Sequence, residues 1–180
     1  MRLAIVLLTL GALTLPFKAQ SADTQRYTQT AQQAIAALEN ATKDDLVKIR
    51  AMQDELLQIG IEAARELGAH DEEIGEMMAF VIDSVPAMQA MSLEEIEVQW
   101  HDGIALETAG YMNSTHDHFG VINSVMDMIL HPVTVQLALT EFENTGNKDY
   151  LWQAKEELHE VVMHVNHIQP NKASPPAIPD

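Results

Sequence analysis

The sequence predicts an all-α fold, four-helix-bundle-like and antiparallel, with an additional short helix and a long loop. Three observations predict it. Apolar residues recur at three- and four-residue steps through most of the chain, no stretch alternates in the manner of a strand, and Gly, Asn and Pro punctuate the periodic segments. The connections between segments are short, which favours antiparallel neighbours.

Residues 1–21 open with Arg2, carry an apolar run over 3–17 and end in Ala19-Gln20-Ser21, the pattern of a secretory signal peptide. The run is shorter than the roughly 20 residues of a spanning helix. Nothing later in the chain reads as a comparable span. The expectation is cleavage before Ala22, a periplasmic or secreted mature chain and no membrane insertion.

Over 24–39, Tyr27, Ala31, Ala34, Ile35 and Leu38 form one apolar stripe that Asn40 closes. Thr42 caps a second helix, whose Leu46, Ile49, Met52, Leu56, Ala63 and Leu67 face one way; Gly60 weakens it and Gly68 stops it. Asp71 begins a third, carrying Ile74, Met77, Met78, Val81 and Val85, and Pro86 is expected to end it. Ser92-Leu93-Glu94-Glu95 has the capping-box form, so a short helix runs from Leu93 to about Trp100. Gly110, Asn113, Ser114 and Thr115 mark a loop between Gly103 and His116 that has room for one helical turn.

From Asp117 a long helix continues to about Asn144, kinked near Pro132, with Phe119, Ile122, Val125, Met126, Ile129, Val133 and Leu137 inward. The last helix, 148–168, buries Leu151, Leu158, Val161, Val162 and Val165 before Pro170. The organisation expected is therefore a signal peptide over 1–21, a single helical domain over 22–169 and a disordered Pro-rich tail over 170–180. The segments assemble most simply as four main helices plus a short fifth.

Composition narrows the function. Arg2 and Lys18 leave with the leader, so the mature chain sets 8 basic against 27 acidic residues, a balance of −19. Nucleic acid and anionic membrane surfaces are repelled by such a field, whereas cations are drawn to it. No cysteine occurs, which excludes disulfides, iron–sulfur clusters and covalently attached haem. Any metal must take His, Met, Asp or Glu.

One stretch gathers such residues. Glu97 and His101, and Asp127 and His131, stand at i, i+4 spacing, and His116 and His118 lie between the pairs. Residues so spaced share a helix face and can hold one ion between them. Folding the short helix against the long one would bring Glu97, His101, His118, Asp127 and His131 toward one site for Zn, Mn, Fe or Cu. The competing reading is a pair of surface contacts, because helical projection puts Asp127 and His131 away from the apolar stripe. His118 projects toward that stripe, as a core or helix-start residue would.

Other constellations fare worse. Glu156, Glu160, His164 and His167 share the face of the last helix opposite its stripe, where geometry permits weak metal capture but a solvated charged surface is the commoner arrangement. His159-Glu160 with His164 falls one residue outside the His-Glu-x-x-His spacing; at i, i+5 the rings diverge by about 140°, which rejects a zincin mechanism. Met88, Met91, Met77, Met78, Met112, Met126 and Met128 could serve Cu(I) but stand at core spacing. A b-type haem ranks lower, since the first mature helix offers no ligand. No phosphate-binding glycine loop or serine-hydrolase context occurs.

The first reading is thus an exported acidic helical protein that binds a protein partner or a small ligand, without catalysis. Its alternative is a metal-binding protein with a His/carboxylate site for a divalent transition metal, extending to a metal-dependent enzyme.

Overall fold

In the computed structural model, residues 17–111 and 119–168 are described, with side chains from 23–111 and 120–165. All regular structure among them is helical. The long helices are α1 (Phe17–Leu38), α2 (Leu46–Gly68), α3 (Glu72–Met88), α6 (Phe119–Thr145) and α7 (Asp149–Ile168), and the short ones α4 (Leu93–Ile96) and α5 (Ile104–Ala109). A 3₁₀ turn, Lys43–Asp45, precedes α2, and a π-helical segment, Glu97–His101, follows α4. The described residues thus hold five long helices, each a segment already delimited in the sequence, where the count of four main helices falls one short. The additional long member, α3, lies against α2 and α6, while α1, α2, α6 and α7 pack in a ring, each on the next.

The register of these contacts fixes the relative direction of neighbours. Arg50 pairs with Glu143 at 2.7 Å, Gln136 donates to Asp54 at 2.7 Å, and Gly60 meets Met128, so the paired residues of α2 and α6 run in opposite order. His131 with Glu157, and Asp127 with His164, give the same opposite order for α6 and α7. Gly60 is essential to the first pair: a Cβ there would stand 2.3 Å from the carbonyl oxygen of Met128. The glycine that weakens α2 as an isolated helix is what admits α6.

Several helix ends follow the caps read from sequence, but Thr42 caps the 3₁₀ turn ahead of α2, whose own N-cap is Asp45, and Gly68 is the last residue within α2. Asp71 accepts from the Ile74 backbone N–H at 3.0 Å. Ser92 and Glu95 form the reciprocal box, and the N–H and hydroxyl of Ser92 hold the Glu95 carboxyl below its usual range. Gly146 leaves α6 with φ of +72°, the left-handed stop that glycine adopts without strain. Pro86 does not end α3. The helix continues to Met88, because Val85 and Met88 bury their side chains to 7% and 0% exposure and the Gln89 N–H still reaches Val85 at 3.0 Å.

Helix α6 departs most from expectation. Its sequence reads as amphipathic, yet from Ile122 to Val135 nearly every side chain is buried, Pro132 included. This is the one helix among the described residues long and apolar enough to cross a membrane by length and composition, and 72% of that apolar window is buried within the molecule. Its apolarity is that of a central core helix, packed on α2, α3, α4 and α7. Met77, Met78, Met88, Met126 and Met128 all belong to the core, which is the filler role of methionine. The tail over 170–180, residues 1–16 of the leader, and residues Met112, His116 and His118 lie outside the described residues, whereas residues 17–21, also read as leader, open α1.

Candidate metal centre

The centre begins with a proline. Pro132 has no N–H, so the Met128 carbonyl one turn earlier loses its helical donor. The buried Tyr27 hydroxyl on α1 donates to that oxygen at 3.2 Å instead. Tyr27 is fully enclosed; burial first, and the nearby Asp127 carboxylate second, push its pKa well above the ordinary tyrosine value. One phenol thus closes the backbone gap at the turn that carries His131.

Polar side chains on a helix buried this completely need partners, since an unpaired buried polar group costs about 1–3 kcal/mol. Ser124 and Thr134 return their hydroxyls to the carbonyls of Gly120 and Leu130, at 2.9 and 3.1 Å. His131, only 2% exposed, finds its partner on α7: its Nδ1 stands 2.8 Å from Glu157 Oε2. His101 reaches the same place from the π segment. Its Nε2 is 3.9 Å from Glu157 Oε2 and 3.3 Å from Thr134 Oγ1. The Thr134 hydroxyl already donates to Leu130, so in the ion-free arrangement His101 supplies the proton. The two imidazoles meet edge to face with centroids 5.2 Å apart.

His101, His131 and Glu157 each offer one ligand atom, and the three atoms lie within 4.8 Å of one another. Two donors held by one ion at about 2.0–2.2 Å cannot stand more than about 4.4 Å apart. The two separations to Glu157, 2.8 and 3.9 Å, meet that bound, and the two imidazole donors lie within 4.8 Å of each other. A second group adjoins the first: Asp127, His131 and His164 also bring ligand atoms within 4.8 Å. His164 Nδ1 donates to Asp127 Oδ2 at 2.6 Å, and its ring lies 6.0 Å from that of His131. Each group contains one charge-assisted bond, His131 to Glu157 in the first and His164 to Asp127 in the second. Two imidazoles and a carboxylate form a set suited to zinc, manganese, iron or Cu(II).

The π segment explains the delivery of His101. The Asp102 N–H bonds to the Glu97 carbonyl, five residues back, at 3.0 Å. This widened turn buries both Ile96 and Trp100, to 0% and 4% exposure, and leaves His101 facing α6. Glu97 is consequently exposed and belongs to neither group. The i, i+4 argument that paired it with His101 assumed an α-helical turn that is absent here.

Of the residues singled out in the sequence, His101 and His131 share one group, and Asp127 joins His131 in the other. The projection that turned Asp127 and His131 to the outside is corrected by the burial of α6 on all sides. Likewise His164, read as part of a solvated face, points to Asp127, whereas His159 is exposed and offers nothing to a buried haem. Sequence reasoning missed Glu157. A signal existed: Glu157 and His164 stand seven residues apart, two turns of one helix, at the margin of the Leu158, Val161 and Val165 stripe. No protein-family model, curated protein or solved structure matches the chain.

Proposed function

We propose that this chain is an exported, acidic helical protein that binds a divalent transition metal between the π segment, α6 and α7. The observation that carries the reading is the convergence of His101, His131 and Glu157 from three separate elements onto one point, with His131 only 2% exposed. A surface acid/histidine contact requires no such enclosure. Three protein donors leave room for water or a ligand in a fourth position, the arrangement that permits Lewis-acid chemistry. Binding is the activity assigned to the protein. The acidic field favours cation approach. Export is supported by the leader pattern over 1–21.

A small-ligand reading would look elsewhere, to the groove of about 330 Å³ between α2 and α3, lined by Ala64, Gly68, Gly75, Met78 and Ile82 with Arg65 and Asp83. The metal reading stands first because its donors converge.

Equilibrium titration with Zn²⁺, Mn²⁺ and Cu²⁺ tests it, on the wild-type chain and on His101→Ala and Glu157→Gln. Each variant is expected to bind at least about tenfold more weakly at the position that His101, His131 and Glu157 form. Equal affinity in all three proteins would remove the centre.

A further inference from the structure

We propose that His131 is a bridging ligand and that the centre holds two divalent cations, one on each ring nitrogen. The inference rests on the metal-binding function above and extends it. Its starting point is that His131 alone belongs to both donor groups.

The groups are ordered along α6. His101 contacts Thr134 on the C-terminal side of His131, and His164 contacts Asp127 one turn to the N-terminal side. His131 therefore stands between them. Its Nδ1, 2.8 Å from Glu157, belongs to the first group. Side chains on a helix lean toward its N-terminus, which brings the His131 ring over the turn of Asp127, and a His131 nitrogen also counts in the second group; in the bridge that nitrogen is Nε2. Glu157 and His164 on α7 are two turns apart and match the same two levels.

Each cation then has three protein donors: His101 Nε2, His131 Nδ1 and Glu157 for one, and His164 Nδ1, His131 Nε2 and Asp127 for the other. Chemistry balances simply. A neutral imidazole carries one N–H proton; coordination at both nitrogens releases that proton to solvent and leaves an imidazolate, with no change in oxidation state. The two carboxylates and the imidazolate supply three negative charges against the four positive charges of the ions, so the buried centre is nearly neutralised, as low dielectric demands. The second position is also accessible, because the His164 side chain is 41% exposed and open to an incoming ion.

Cu²⁺ loading of the full mature chain, read by native mass spectrometry and electron paramagnetic resonance, tests the bridge. Two equivalents are expected in the wild type, with the signal diminished by coupling between the ions. His164→Ala and His101→Ala should each retain one equivalent and show an uncoupled single-copper spectrum. One equivalent in the wild type, unaltered by His164→Ala but lost in Glu157→Gln, would overturn the bridge and leave the metal function standing. Two fully uncoupled coppers would also overturn it. No bound copper, zinc or manganese in any protein would overturn both readings.

Discussion

At the scale of single residues, Tyr27, Met128 and Pro132 form a unit. The proline orphans a carbonyl, the phenol satisfies it, and the next residue back along α6 from Pro132 is His131. Tyr27→Phe is expected to cost about 1–3 kcal/mol in chemical denaturation, the penalty of a buried acceptor left without a donor. The pH dependence has a definite sign. Because the folded phenol has a raised pKa, its contribution is complete below the ordinary tyrosine value of about 10 and is lost as pH rises through the folded value. Wild type should therefore lose stability more steeply above about pH 10 than Tyr27→Phe. Nothing local in the sequence signals this contact, since Tyr27 and Met128 are 101 positions apart.

At the scale of elements, the stripes of α2, α3 and α7 and the caps Asp71 and Ser92 were legible because both are local: a capping residue and its partner stand three positions apart, and apolar spacing is set by the helical turn. Helix α6 was only partly legible. Its limits fall within about two residues of those read from composition, but periodicity cannot distinguish a one-sided helix from one covered on every side. The π segment was hidden for a different reason. One widened turn, Glu97–His101, shifts each later residue around the axis, so Glu97 turns outward and His101 inward although their spacing is that of an α-helical pair. The approach of α2 to α6 supplies a direct test of the packing. Gly60→Ala places a methyl 2.3 Å from a backbone oxygen and should destabilise the protein by about 1–3 kcal/mol or more. A melting temperature equal to wild type would show that the helices can separate freely at this point.

At the scale of the whole molecule, the all-α class followed from the period of the apolar residues and from the lack of strand-like alternation, and the structure agrees. The candidate centre was legible in part. His101, Asp127 and His131 were found by spacing, whereas Glu157 and His164 enter only when α7 is laid against α6, a tertiary fact. The proposed export concerns the entire chain, and intact-mass measurement on secreted material should give a protein beginning at Ala22. Retention of residues 1–21 would count against the leader. The central claim, a cation held between three elements of the fold, is tested most directly by anomalous diffraction from crystals loaded with Zn²⁺. The account expects a zinc peak bounded by His101 Nε2, His131 Nδ1 and the Glu157 carboxylate, each at about 2.0–2.2 Å. Zinc found only among the exposed carboxylates, with these three side chains still hydrogen-bonded to protein, would contradict it.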